Sequence, residues 1–309
     1  MTLLRVGTRA SILARAQSEE VAVRLRSALG VTVELVAVVS EGDRTVAPLT
    51  QIGGSGVFVG AVRDALAAGD VDIAVHSLKD LPTAVDDRVV VAAVPRRQDP
   101  RDALVARDGL TLGELPTGST VATGSPRRAA QLRALGLGVR VVDIRGNVDT
   151  RLRKVAAGTV DAVLLARAGL VRLGRVDEIT ETLDPIQMLP APGQGALAVE
   201  VAVGSTALAD DIGSALDDPE SRSAVTAERA LLRTLEAGCL APIGALADVA
   251  EGDDGPEIWL RAVVAAPDGS SLVRLSAAGT TTDPAALGDS LARELLTEGA
   301  ASLMRERAS

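Results

Sequence analysis

A chain of 309 residues is long for one hydrophobic core and implies two or three domains. Hydrophobic residues make up 47% of it but aromatic residues only 1%, so the cores must be built from Val, Leu, Ile and Ala, which argues against nucleic-acid binding by base stacking. A net charge of -9 argues against a polyphosphate partner for the surface as a whole.

Leu3 to Val6 reads as a first strand, and Gly7-Thr8-Arg9-Ala10-Ser11 as the turn into a helix running to about Leu29. Arg9 and Ser11 at a helix start are the makings of an anion site, because the first N–H groups of a helix lack internal partners. A second strand is expected over Val31 to Val39. Glu41 to Gly60 then reads as a glycine-rich loop with the only phenylalanine, Phe58, at its edge. A helix over Ala61 to Ala68 leads into V-D-I-A-V-H-S-L-K-D-L-P-T (71–83), a β-branched run that breaks abruptly into His76, Ser77, Lys79 and Asp80. It reads as a buried strand delivering a charged pair to its carboxyl end, where parallel α/β sheets place their ligands. Lys79 is one of two lysines in a chain that otherwise uses arginine, and His76 reads as the polar end of the strand.

After a strand over Val89 to Val94, the connector P-R-R-Q-D-P (95–100) marks a boundary. The βα rhythm then restarts, with strands Ser119 to Thr123, Val139 to Ile144 and Ala162 to Ala166, and helices Arg127 to Ala134 and Val148 to Ala157. A second proline and glycine crossing, L-P-A-P-G-Q-G (189–195), precedes a strand over Ala196 to Val203 that returns to the first domain. The third region is expected to hold a helix over Ser223 to Glu236, a loop at Ala237 to Pro242, strands near Ile258 to Ala265 and Leu272 to Ala278, and a last helix from about Pro284. The expected fold is α/β: two doubly wound, parallel-sheet lobes with a hinge and cleft, like a type II periplasmic binding protein, plus a smaller C-terminal α/β domain. The domains are residues 1–95 with 196–213, 96–195, and 214–309.

Charge is unevenly spread. Between Val121 and Arg175 eleven basic residues face three acidic ones, a net +8 that points to a small polyanionic ligand. In T-G-S-P-R-R, Ser125 is a cap and Pro126 takes the first helical position, so Arg127 and Arg128 fall in the first turn. Cations there oppose the helix dipole by about 0.3 to 1 kcal/mol each, and an anion facing both would reverse the sign. D-I-R-G-N-V-D-T-R (143–151) repeats the pattern, with Asn147 as cap, so Arg127, Arg128, Arg145 and Arg151 are expected to share one crevice. Cys239, on a glycine and proline loop, is open to two readings, a reactive thiol or a small buried hydrophobe. One cysteine and one histidine cannot build a zinc site, and no metal is expected. A lone cysteine excludes an intrachain disulfide, the N-terminus lacks a signal-peptide pattern, and no stretch approaches the roughly 18 apolar residues of a membrane span. A cytoplasmic protein without membrane contact is expected.

Taken together, G-T-R-A-S with Gln17, D-I-A-V-H-S-L-K-D-L-P-T, S-P-R-R with Gln131, R-G-N-V-D-T-R-L, A-G-L-V-R-L-G, L-P-A-P-G-Q-G-A and T-A-E-R-A with G-C-L-A-P-I-G resemble the porphobilinogen deaminase family, from Gly7 to about Gly244. The resemblance implies a monomeric transferase of heme biosynthesis that adds four porphobilinogen units head to tail to a dipyrromethane cofactor, expelling ammonia, and then releases 1-hydroxymethylbilane. It implies that Cys239 holds the dipyrromethane through a thioether and that Asp80 is the catalytic carboxylate. Arg9, Ser11, Lys79, Thr123, Ser125, Arg127, Arg128, Arg145, Arg151 and Arg172 match positions that bind cofactor and substrate, and Phe58 is expected to stack on a pyrrole ring. The family loop usually reads G-G-K-G-L-F; here Ser55 and Val57 replace its lysine and leucine.

A two-lobed binding protein for an anionic solute is the competing class, but it explains neither Asp80 nor Cys239. A nucleic-acid-binding regulator fits poorly with so few aromatic residues and so much acid outside the arginine segment.

Overall fold

The computed structural model describes residues 2–38, 56–236, 241–252 and 255–305, the side chains of 56–58 and 305 excepted. The first stretch runs β1 (Leu3–Arg9), α1 (Ile12–Leu29), β2 (Thr32–Val38), α2 (Gly56–Ala67), β3 (Ile73–Ser77) and β4 (Val89–Ala93). Then come β5 (Asp102–Ala106), β6 (Thr120–Ala122), α3 (Pro126–Ala134), β7 (Arg140–Val142), α4 (Val148–Ala156), β8 (Ala162–Ala166), α5 (Arg167–Arg172) and β9 (Glu181–Thr182). The last are β10 (Leu197–Ala202), α6 (Thr206–Leu216), α7 (Pro219–Thr234), β11 (Ile243–Gly252), β12 (Gly255–Ala265), β13 (Leu272–Thr280), α8 (Pro284–Thr297) and α9 (Ala300–Arg305).

These elements form two compact units, Met1–Gln98 with Ala196–Ser223, and Asp99–Gly195 with Ala224–Ser309. The first holds a five-stranded sheet in the order β2-β1-β3-β10-β4. Val6, Ile73, Val75, Val199 and Val201 line one face beneath α1 and α6, while Val62 and Leu66 of α2 cover Val71 and Ala74 on the other. The second unit has a sheet ordered β7-β6-β8-β5-β9. Ala103, Val105, Val163 and Leu165 face one core and Leu104, Ala106, Ala162 and Leu164 the other, the two-residue period of strands buried on both sides. The same unit carries the antiparallel sheet β11-β12-β13, packed on α7, α8 and α9.

The expected all-parallel sheets are corrected in one respect. In each five-stranded sheet the fourth strand runs antiparallel to its neighbours, β10 against β3 and β4, β5 against β8 and β9. Each is the first strand after a crossing segment, so the chain enters the sheet from the opposite end. Gly56 to Gly60, expected as loop, is the first turn of α2: Val59, Val62 and Leu66 share one buried helical face that outweighs two glycines. α6 spans the 213/214 position where the sequence suggested a boundary, and it buries Ile212 and Leu216 in the first lobe's core.

Beneath β3 lies a buried charge network. Glu200 on β10, fully buried, accepts hydrogen bonds from Arg63 Nε (2.9 Å) and Nη2 (2.6 Å), and its Oε2 lies 3.4 Å from His76 Nε2. Burial alone would raise the Glu200 carboxyl, but His76 and Arg63 outweigh it and hold it at about 2. A carboxyl depressed from 4.5 stabilises the fold fully above its unfolded value and loses that contribution as pH falls from about 4.5 towards 2. Glu200→Gln should therefore lower the melting temperature at pH 7, where it leaves the buried Arg63 with only the longer ion pair to Asp86, at 3.8 Å, and should flatten the acid limb of a melting-temperature profile. An unchanged acid limb in the variant would remove Glu200 from the acid response.

Candidate active site

In the first lobe β1 and β3 are adjacent and parallel, with Val6 beside Ile73 and Gly7 beside Ala74. Their carboxyl ends therefore lie side by side. Arg9 closes β1, and Ser11 caps α1 by accepting from the Ala14 N–H at 3.2 Å. Lys79 and Asp80 lie in a single 3-10 turn, Leu78–Asp80, directly after β3. That turn is anchored from two sides. The Leu78 N–H donates to Ala196 O at 3.0 Å, and Gln17 Nε2 on α1 donates to Ser77 Oγ at 2.7 Å. Asp80 is half-buried, and among the described residues no hydrogen bond or ion pair engages its carboxylate. A carboxylate held on a fixed turn and left open is suited to stabilising a cation or accepting a hydrogen bond from a ligand.

The second lobe assembles the basic residues at the carboxyl ends of β6, β7 and β8, with β6 paired to both others. The two expected caps are present: Ser125 Oγ accepts from the Arg128 N–H at 3.5 Å and Asn147 Oδ1 from the Thr150 N–H at 2.9 Å. The Ser125 N–H in turn donates to Thr123 Oγ1 at 3.1 Å. The turns after β6 and β7 approach so closely that a Cβ on Gly124 would sit 2.8 Å from Ile144 O and 3.9 Å from Arg151 Nη2. Only glycine fits there without displacing the backbone.

Arg151 donates Nε to Gly146 O at 2.9 Å. Burial, with Arg128 and Arg145 nearby, pushes its pKa down to about 10, and Asp143 offsets only part of this. Arg145 lies 3.4 Å from the Asp143 carboxylate. Arg172, at the end of α5, donates to Gly195 O at 3.0 Å.

Arg127 and Arg128 are placed differently from the sequence argument, which had them answered by a ligand. Both are buried, 4% and 6% exposed, and a protein anion answers them: Asp102, at 0% exposure, the first residue of β5. Arg128 Nε (3.0 Å) and Nη2 (2.7 Å) donate to Asp102 Oδ1, and Arg127 Nη1 lies 2.8 Å from Oδ2. Arg127 also donates to Leu189 O and Arg128 to Leu164 O. Burial would raise the Asp102 carboxyl, but the two arginines outweigh it and hold it far below the usual carboxylate range. Sequence reasoning missed Asp102 because no strand was expected between the connector at 95–100 and Ser119; β5 and the order β8-β5 are what bring it under α3.

Two sequence-derived candidates cannot be placed. Phe58 is in the first turn of α2, but its side chain lies outside the described residues, and so does Cys239. The flanks of Cys239 are firm. α7 is fixed by Glu228, which accepts from the N–H groups of Gly193 (2.6 Å) and Ala247 (2.8 Å), and Leu235 and Ile243 on either side are buried in one core.

The family model described as "Porphobilinogen deaminase, dipyromethane cofactor binding domain" matches residues 4–210, and "Porphobilinogen deaminase, C-terminal domain" matches 223–297. The chain belongs to the porphobilinogen deaminase family. The porphobilinogen deaminase of Mycobacterium bovis is 57% identical over 98% of each chain, and that of Mycobacterium marinum is 55% identical over 98% of this chain and 97% of its own. Among solved structures, a periplasmic substrate-binding protein of an ABC transporter from Coxiella burnetii overlaps 73% of this chain and 96% of its own, at 16% identity and a TM-score of 0.45. A score that low decides nothing between the deaminase and a binding protein.

Proposed function

We propose that this chain is a hydroxymethylbilane synthase: it joins four porphobilinogen molecules head to tail on a covalently held dipyrromethane, releasing ammonia and then 1-hydroxymethylbilane, in heme biosynthesis. The structural observation that carries the reading is the cluster at the ends of β6 and β7, where Arg127, Arg128, Arg145 and Arg151 gather about two carboxylates, Asp102 and Asp143. Such an arrangement is stabilised by ligand carboxylates, which a dipyrromethane and porphobilinogen both bring as acetate and propionate groups. The residues present therefore fit the group. Thr123, Ser125, Arg127, Arg128, Arg145, Arg151 and Arg172 would hold carboxylates, as would Arg9, Ser11 and Lys79. Cys239 would supply the thioether. When bound, the dipyrromethane supplies the nucleophilic pyrrole carbon from which the chain grows.

Asp80 has the part that needs a negative charge. Departure of ammonia from the aminomethyl arm of porphobilinogen leaves a cation delocalised over the pyrrole, and a carboxylate beside it lowers the barrier by electrostatic stabilisation. The same oxygen atoms accept the pyrrole N–H and can take up a proton as the new bond forms. Three domains, with the thiol on the third, and a monomer complete the proposal. The single cysteine supports a reducing, cytoplasmic setting; no helix among the described residues is long and apolar enough to cross a membrane.

Incubation of the purified protein with porphobilinogen tests the reading: ammonia and a linear tetrapyrrole are expected, whereas a binding protein would return porphobilinogen unchanged. Arg151→Leu separates ligand binding from architecture. Loss of one charge-assisted contact should weaken apparent substrate affinity or primer retention roughly ten- to a hundredfold. Because Asp143 compensates the charge only in part before ligand binds, the melting temperature of the ligand-free variant should change little. A fall in melting temperature with unchanged substrate affinity would make Arg151 a structural residue.

A further inference from the structure

Among the described residues, Asp102 is the one carboxylate set against both Arg127 and Arg128, and its hydrogen bonds are unequally shared. Oδ1 accepts from Arg128 Nε and Nη2 and also from Gln194 Nε2, at 2.8 Å. Gln194 is fully buried and donates as well to Pro100 O at 2.7 Å. It thus ties the second crossing segment to the residues just before β5. Gln131 adds a reciprocal pair with Leu189, donating to its carbonyl (3.0 Å) and accepting its N–H (2.9 Å). The carboxylate is therefore clamped from three directions and cannot turn away.

Arg128 is engaged through all three guanidinium nitrogens, but Arg127 is not used up. Arg127 engages Asp102 and Leu189 O through Nη1, while its Nε is buried and has no hydrogen-bond partner among the described residues. Two buried cations against one buried anion leave a net +1. Neither extreme would serve: without an internal anion the folded site would be destabilised until a ligand arrived, and with two it would have no charge left for one.

We propose that Asp102, clamped by Gln194, is a positioning residue that sets the charge of the anion site, letting Arg127 and Arg128 fold into place before any ligand binds while retaining one net positive charge for a ligand carboxylate. The proposal deepens the deaminase reading and rests on it for the identity of the ligand, but its test does not depend on turnover.

The test is thermal melting of the purified protein against sulfate at constant ionic strength, with porphobilinogen as a second probe. Asp102→Asn keeps the shape and takes the cluster from +1 to +2. Its ligand-free melting temperature should fall, and sulfate should recover it by roughly 5 °C more than the gain in wild type, because an external anion now replaces the internal one. Gln194→Met removes the same kind of hydrogen bond without changing charge, and should lose stability with no added response to sulfate. If Asp102→Asn does not fold, the double variant Asp102→Asn/Arg128→Met, which restores +1, should fold. An Asp102→Asn protein no more responsive to sulfate than wild type, or a double variant no better folded than the single, overturns the proposal. Failure of wild type to consume porphobilinogen would instead overturn the deaminase reading and leave the sulfate result standing.

Discussion

Cys239→Ser should yield a folded protein that carries no covalent dipyrromethane and forms no tetrapyrrole. The thiolate is a far better nucleophile near neutral pH than a serine hydroxyl, so exchange of sulfur for oxygen removes the thioether without changing the size of the side chain much. Folding should survive because the segments on either side are anchored independently, α7 through Glu228 and β11 through Ile243 in the core. With no other cysteine in the sequence, there is no second thiol to take over. Circular dichroism should match wild type, and turnover should fall below detection. Wild-type turnover in the serine variant would remove Cys239 from the mechanism.

Asp80→Asn should cut the rate of each addition by roughly two to three powers of ten, the scale for losing one preorganised electrostatic stabiliser. Asparagine preserves shape and one hydrogen-bond acceptor but not the negative charge. The turn that holds residue 80 is fixed by Leu78, Ala196, Gln17 and Ser77, none of which the substitution touches, so the fold should not change. Substrate affinity should change little, since ligand carboxylates are assigned to the arginines. A loss confined to KM, with kcat intact, would mean that Asp80 only binds substrate.

Much of this was legible in the sequence for identifiable reasons. Local rules act within a few residues, so Ser125, Pro126 and Asn147 marked their helix starts correctly, and the carboxyl end of V-D-I-A-V-H-S marked the Lys79-Asp80 turn. Arginines in a first helical turn signalled the need for an anion, which the sequence argument assigned to a ligand. What the sequence could not show is that Asp102 stands against both of them, because the contact joins residues 26 apart through a sheet order no local pattern encodes. β5 itself was not expected, and the antiparallel direction of β10 was hidden for the same reason. β11 escaped because I-G-A-L-A-D-V-A-E-G is rich in Ala and Gly, and its ten-residue pairing with β12 overrides weak strand propensity.

The central claim is that the chain grows a tetrapyrrole on a primer covalently held by its own cysteine. Intact-mass spectrometry of the purified wild-type protein, before and after addition of porphobilinogen, tests it most directly when combined with peptide mapping of the adduct. The account predicts a mass above that of the sequence by one dipyrromethane, mapped to Cys239, and then a ladder of species each heavier by one added pyrrole unit. A protein of unmodified mass that still converts porphobilinogen, or an adduct on any other residue, would contradict it.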